Sequence, residues 1–166
     1  MLCAETIIKT LNALRMVMTE DPKHAYLLQP GLWELSGIYY DSNNNPFPQK
    51  GQLVITHEPD LWTIEAQLVI TTEQTQTVSS RYEVQPLEAG VSFTEWKSET
   101  GGPEPVYGLF VMVADTIMSP WQSKSGTYWG QEVLMRWSAI EYRGRGFAFL
   151  NDKQVSAWST RLTFTG

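Results

Sequence analysis

The chain has 166 residues, of which 42% are hydrophobic and 18% are charged, and its formal net charge is −6. This composition is typical of one globular domain, here residues 1–166, and excludes an intrinsically disordered chain. The acidic balance, without a cluster of Lys and Arg, excludes a nucleic-acid-binding surface, which must neutralise phosphates. We therefore expect a globular protein that has no nucleic-acid partner.

The single cysteine, Cys3, leaves no internal disulfide and no metal site with several thiolates. The lack of a disulfide framework is typical of a reducing compartment. Polar residues interrupt the apolar ones in the first twenty positions, which breaks the continuous core of a signal peptide. No apolar run reaches the roughly 20 residues that span a bilayer. We therefore expect a cytoplasmic protein without a membrane span.

The first predicted element is an amphipathic helix over residues 4–18. Its apolar side chains recur at the spacing i, i+3, i+4 and i+7, whereas Glu5, Lys9 and Asn12 point away from them. The apolar stripe consists of Ala4, Ile7, Ile8, Leu11, Leu14 and Met18. Pro22 follows this stretch, and proline disfavours helical geometry at the residue before it, so we expect the helix to end there.

After Pro30 the pattern predicts strands and turns only. The predicted strands are residues 31–40, 51–57, 61–70, 78–85, 91–97, 106–114, 127–137, 141–150 and 155–164. Eight or nine strands joined by short turns predict an antiparallel meander. An open sheet of this size would expose two edges, and closure into a barrel removes both. We predict an all-β, antiparallel up-and-down barrel, with a β-sandwich as the alternative.

The sequence is unusually rich in tryptophan, with seven residues, six of them in predicted strands. Tryptophan is costly to bury unless its N–H finds a partner, so this concentration indicates a large aromatic interior. Two interpretations remain open at this point. The barrel is either filled by bulky side chains or lined by them around a ligand cavity.

The first predicted strand opens with Gly31-Leu32-Trp33, and Arg161 lies near the end of the last one. This arrangement resembles the Gly-x-Trp signature of the calycin superfamily, which includes the lipocalins and the fatty-acid-binding proteins. The resemblance implies a lipocalin-like barrel in which Trp33 closes one end and packs against Arg161. A cation over an indole face contributes about 0.5–2 kcal/mol. Because the sequence shows no signal peptide and no disulfide, the resemblance implies an intracellular member of the superfamily.

Within that superfamily, the length, the leader segment and the aromatic content are similar to those of the S-type phycobilin lyases. Those proteins are intracellular barrels that hold a bilin and pass it to a cysteine of another protein. This similarity implies a chromophore-attachment activity as an alternative function. Arg143, Arg145 and Glu132 are the candidates for holding propionates and protonating pyrroles in that case.

Alternate side chains of a strand share a face, and this rule identifies a candidate pocket wall. If Trp33 points inward, the same face of its strand and the more apolar faces of residues 61–70 and 127–137 point inward too. The candidate ligand-binding residues of this wall are Tyr39, Trp62, Trp129, Gln131 and Trp137. Arg161 falls on the opposite face from Trp158, so its predicted contact with Trp33 requires a bulge.

Arg143 and Arg145 share one face of a predicted strand, beside two glycines. Arginine binds carboxylates and phosphates through two parallel hydrogen bonds, so this pair is a candidate clamp for an acidic group of the ligand. The alternative is an ordinary solvated outer face.

The sequence shows no Ser-His-Asp or Cys-His grouping and no glycine-rich phosphate loop. Two isolated histidines and one cysteine do not form a recognisable metal site. We therefore expect no catalytic residue, no metal and no cofactor. The predicted function is binding of an apolar or aromatic small molecule, tetrapyrrole-like compounds included, inside the barrel. A filled barrel that binds a protein partner through its outer face is the remaining alternative.

Overall fold

The computed structural model describes His24 and residues 26–166. The helix predicted over residues 4–18 lies outside this part of the chain. The described residues form ten strands: β1 (Gly31–Tyr40), β2 (Pro46–His57), β3 (Trp62–Ile70), β4 (Gln76–Val84), β5 (Phe93–Ser98), β6 (Val106–Val113), β7 (Thr116–Ser123), β8 (Tyr128–Arg136), β9 (Glu141–Leu150) and β10 (Lys153–Phe164).

Each strand pairs antiparallel with its neighbour along the chain, and β1 pairs with β10, so the sheet closes on itself. The predicted antiparallel up-and-down barrel is thereby confirmed, and the β-sandwich alternative is wrong. Closure pairs both edge strands, which an open sheet would leave exposed. The described part of the chain contributes no helix long and apolar enough to cross a membrane.

β7 is not among the predicted strands. The turn that precedes it consists of Ala114 and Asp115 alone, and Pro120 stands in the middle of the strand. Proline cannot donate a ladder hydrogen bond and is therefore a poor strand signal. In the structure, the ladder between β6 and β7 keeps a single register but is interrupted between the pair Gly108–Trp121 and the pair Val111–Met118. Pro120 lies in that interruption, where no donor is required of it.

Aromatic side chains close one end of the barrel around Trp33, which is fully buried. Its ring lies 5.3 Å from Tyr26, 5.9 Å from Tyr142 and 5.2 Å from Phe164, measured between centroids. Edge-to-face and tilted pairs at these distances are favourable beyond the burial of their area. Trp33 thus belongs to an aromatic cluster that fills this end, which we call the closed end.

The segment before β1 crosses the closed end. Leu27 in this segment is fully buried, and its carbonyl oxygen accepts a hydrogen bond of 2.9 Å from Nε2 of His57. The His57 ring also stacks on Trp62 with centroids 3.9 Å apart. These contacts tie the end of β2 and the start of β3 to the entering chain, and they account for His57 as a structural residue.

The predicted packing of Arg161 on Trp33 is wrong. Arg161 alternates along β10 with Leu162, which is buried, so its side chain points to the outer face and is 56% exposed. Its Nε lies 3.4 Å from a carboxylate oxygen of Glu141. The strand contains no bulge between Trp158 and Thr163 that would turn Arg161 inward, because the register there is continuous.

Candidate functional site

The barrel contains a cavity of about 340 Å³. Its lining extends from Tyr26 near the closed end to residues 100–102 in the connection between β5 and β6, at the opposite end. Small-molecule pockets in proteins have about 300–1,000 Å³. The diameter of a barrel grows with the number of strands, and an eight-stranded barrel is already wide enough for packed side chains or one small ligand. This ten-stranded barrel is hollow.

Three tryptophans of the cavity wall are each paired with a glycine on the neighbouring strand. A Cβ atom added to these glycines would lie only 2.3–2.4 Å from the indole ring, so each indole occupies the space of a missing side chain. This arrangement keeps the rings close to the barrel wall and out of the centre of the cavity. The register pairs are Trp96–Gly108, Trp121–Gly130 and Trp158–Gly146.

Aliphatic side chains of β1, β2 and β3 complete the apolar part of the wall. They are Leu35, Leu53, Ile64, Ala66 and Leu68. Strict alternation along these strands turns them inward, while Glu65 and Gln67 face solvent. The cavity therefore offers an aromatic side and an aliphatic side to a bound molecule.

Glu132 is the one charged residue among the described residues that line the cavity. The indole N–H of Trp158 donates a hydrogen bond of 2.8 Å to its Oε1. Burial disfavours the ionised carboxylate and raises the pKa of Glu132 to about 6, although the hydrogen bond from Trp158 acts in the opposite direction. The carboxyl group can accept hydrogen bonds when ionised and donate one when protonated.

Other polar groups lie near Glu132. Thr160 lines the cavity, and its buried Oγ1 has no hydrogen-bond partner among the described residues. A Cβ added at Gly144 would lie 2.3 Å from that oxygen and 3.4 Å from Oε1 of Glu132, so both atoms border the same spot. Burial raises the pKa of Tyr82 to about 12, and the charge of Glu132 adds to this effect. The cavity thus presents a carboxyl, a hydroxyl and a protonated phenol.

Of the residues predicted to bind a ligand, Tyr39 lines the cavity. Trp62 faces the interior as predicted, but it packs against the core toward the closed end and stacks on His57. The other five residues do not line the cavity.

The face of β8 that was predicted to point inward is the outer face. Leu134 is 1% exposed and Glu132 lines the cavity, whereas Trp129 is 37% and Trp137 60% exposed. Gln131 has the same parity as the two tryptophans. The prediction is wrong because it chose the more apolar face, and the inner face of this strand carries a glycine and a carboxyl group.

Arg143 and Arg145 lie on the outer face of β9. The Arg143 guanidinium sits 3.9 Å from the centre of the Trp137 ring, and its Nε is 3.2 Å from Oε1 of Glu141. Arg145 donates a hydrogen bond of 2.7 Å to the carbonyl of Gly144. Neither arginine lines the cavity, so neither can clamp an acidic group of a ligand inside it.

Trp96, Trp121 and Trp158 line the cavity but are not among the predicted wall residues. A glycine inside a strand marks a close approach of another group. Gly130 and Gly146 share the inward parity of Glu132 and Ala148, and this parity is the signal that would have identified the inner faces of β8 and β9. In His24 and residues 26–166, no group of three or more His, Cys, Asp or Glu side chains could hold a metal ion.

Comparison with known proteins identifies the fold. No protein-family model and no curated protein matches the sequence. The structure of the S-type phycobiliprotein lyase CPES from Guillardia theta matches with a TM-score of 0.58 and 9% identity, over 83% of this chain and 89% of that chain. A structure of EF1p2_mFAP2b bound to DFHBI matches with a TM-score of 0.48 and 14% identity, over 85% and 97%. The chain therefore shares the barrel fold of the lyase structure, which is the fold that the Gly31-Leu32-Trp33 resemblance implied.

Proposed function

We propose that this protein binds one apolar or aromatic small molecule inside its barrel and orients it through Glu132. The observation that supports this proposal is the cavity of about 340 Å³, which has aromatic and aliphatic walls and a single carboxyl group. Binding pockets combine mainly apolar walls with a few polar groups that fix the orientation of the ligand. The ligand enters at the end opposite Trp33, because the closed end is filled by aromatic side chains.

The chemistry of the wall defines the ligand class. Trp96, Trp121 and Trp158 favour a conjugated or aromatic body, since offset and edge-on ring contacts add to the burial of apolar area. Glu132 favours a ligand that places an N–H or O–H group beside it, because a buried carboxylate needs donors. A conjugated molecule with polar N–H groups fits both requirements.

Tryptophan fluorescence tests the proposal directly, because three tryptophans line the cavity. The protein is titrated with a fatty acid, haem and a linear tetrapyrrole, and we expect saturable quenching near micromolar concentration by one of them. Ala66→Phe places a ring inside the cavity, whereas Ala157→Phe places the same ring on the outer face of β10. Binding should weaken about tenfold or more in the first variant and persist in the second.

Two results would reject the binding function. One is the absence of quenching by any of the three compounds. The other is equal binding by the Ala66→Phe and Ala157→Phe variants, which would place the ligand outside the cavity.

A second candidate function is attachment of a bilin-like chromophore to a cysteine of another protein. Glu132 favours it, because it is the only one of the three candidates for this activity that lies inside the barrel, where it could protonate a pyrrole. Mixing with a linear tetrapyrrole should then shift its visible absorption band, and Glu132→Gln should abolish the shift. Transfer to a cysteine-containing acceptor protein should follow. A bound tetrapyrrole that is never transferred would leave simple binding as the function.

A further inference from the structure

The connection between β5 and β6, residues 99–105, lies at the end of the barrel opposite the closed end, which we call the open end. Five connections between strands meet there, all within the described part of the chain. Only this one contributes residues to the cavity wall, namely Thr100, Gly101 and Gly102. The other four are residues 41–45, 71–75, 124–127 and 151–152. The connection between β5 and β6 therefore turns inward over the mouth of the cavity.

The inward part of this connection packs on Tyr128, the first residue of β8. A Cβ atom added to Gly102 would lie 3.0 Å from Cε1 of the Tyr128 ring. That ring makes an edge contact with the indole of Trp121, with centroids 4.9 Å apart, and it lines the cavity. β6 and β7 separate β5 from β8 in the sheet. The contact between Gly102 and Tyr128 therefore spans two strands and covers part of the mouth.

Hydrogen bonds hold the connection at both of its ends. On the β4 side, the backbone N–H of Arg81 donates a hydrogen bond of 2.8 Å to Oγ1 of Thr100. On the other side, Oε1 of Glu104 accepts hydrogen bonds of 3.0 and 3.1 Å from the hydroxyls of Ser125 and Thr127, in the turn between β7 and β8. Hydrogen bonds to a carboxylate are stronger than those between neutral groups. We call the contacts of Glu104 with these two hydroxyls the latch.

The middle of the connection, residues 101–103, has the sequence Gly-Gly-Pro and makes no hydrogen bond with any described residue. Gly101 has a φ of 88°, which side chains rarely adopt, and a Cβ there would collide with Oγ of Ser80. A segment with few hydrogen bonds opens at a low cost in free energy, and adjacent glycines absorb the change in backbone angles. This segment can therefore act as a hinge when the latch opens.

We propose that residues 99–105 form a lid over the mouth of the cavity, and that the lid opens when Glu104 releases Ser125 and Thr127. The two glycines supply the hinge, and the Tyr128 ring supplies the surface on which the lid closes. Lids of this kind exclude water from a site and set the rates at which ligands enter and leave. The role of this lid in ligand exchange rests on the proposed function, whereas its closure over the cavity does not.

The reactivity of a cysteine inside the cavity measures the closure without a ligand. In a Cys3→Ser background, Ala66→Cys places the thiol on the cavity wall, and Gln67→Cys places it on the solvent face of the same strand. We expect N-ethylmaleimide to react with the first about tenfold or more slowly than with the second. Opening the latch with Glu104→Ala should raise the rate at Ala66→Cys about tenfold. Glu99→Ala, which removes an exposed carboxylate of the same connection, should leave that rate unchanged.

Two further variants separate opening of the lid from a general loss of structure. Ser125→Ala combined with Thr127→Ala removes the latch from the other side and should raise the rate at Ala66→Cys equally. Adding Glu104→Ala to this pair should give no further increase, because the same hydrogen bonds are already lost. Val84→Cys, at a fully buried position that does not line the cavity, should stay protected in every latch variant.

Three results would overturn the lid. The first is equal reaction of Ala66→Cys and Gln67→Cys when the latch is intact. The second is an equal effect of Glu104→Ala and Glu99→Ala on the rate at Ala66→Cys. The third is reaction of Val84→Cys in the latch variants, since the whole barrel would then be opening. Because the experiment uses no ligand, failure of the lid leaves the binding function intact, and failure of binding leaves the test of the lid intact.

Discussion

Glu132→Gln should change how stability depends on pH. Burial raises the pKa of Glu132 from 4.5 to about 6, so the folded protein holds this proton more tightly than the unfolded chain does. Stability from this group is therefore fully present below pH 4.5 and falls as the pH rises through 6. The shift corresponds to about 2 kcal/mol of unfolding free energy. Glu132→Gln has no ionisable group at this position, so its stability should not fall over this pH range.

The measurement is urea unfolding of wild type and variant over a range of pH. The free energy of Glu132→Gln minus that of wild type should rise by about 2 kcal/mol between roughly pH 4 and pH 7.5. Taking the difference cancels other groups such as Asp41, whose pKa is lowered by the side-chain and backbone hydrogen bonds of Asn45. Glu34→Gln, on the exposed outer face of β1, controls for the loss of a carboxyl group. A flat difference, or one that falls with pH, would refute the buried position of Glu132.

Further variants test the fold, each measured as the change in urea midpoint at constant m-value. Trp33→Ala should cost about 3–5 kcal/mol, because the indole is fully buried in the closed end. Arg161→Ala should lower the free energy of unfolding by less than about 1 kcal/mol, because its ion pair with Glu141 is exposed. A loss as large as that of Trp33→Ala would indicate that Arg161 packs on Trp33. Gly146→Ala should cost about 1–3 kcal/mol, because its Cβ would lie 2.3 Å from the Trp158 indole. A neutral result there would mean that the indole lies elsewhere.

Much of the fold follows from alternation and turn residues. β1 runs over the predicted residues, and the inward faces of β1, β3 and β10 agree with the predicted ones, because one face of each is clearly more apolar. The predicted inward face of β8 is wrong because the cavity face of this strand carries Glu132, whereas the outer face carries the exposed Trp129 and Met135. Alternation sorts the side chains of a strand into two faces, and the prediction assumed that the more apolar face points inward. In β8 the more apolar face points outward.

The candidate site was harder to predict than the fold, and for a physical reason. Its wall depends on which residues of different strands stand opposite each other, as Trp158 and Gly146 do. Register between strands that turns connect is set by turn geometry and packing, and it leaves little trace in the local sequence. Arg143 and Arg145 show the converse case. Two arginines on one face of a strand predict a clamp for an acidic ligand group, yet that face of the strand points away from the cavity.

The central claim is that a ligand occupies the cavity beside Glu132. A crystal structure of the protein with the panel compound that quenches its fluorescence most tightly tests this claim most directly. The account predicts electron density between Trp96 and Trp158, with a polar ligand atom within hydrogen-bond distance of the Glu132 carboxyl group. Density on the outer face of the barrel, or a cavity filled by side chains, would contradict it.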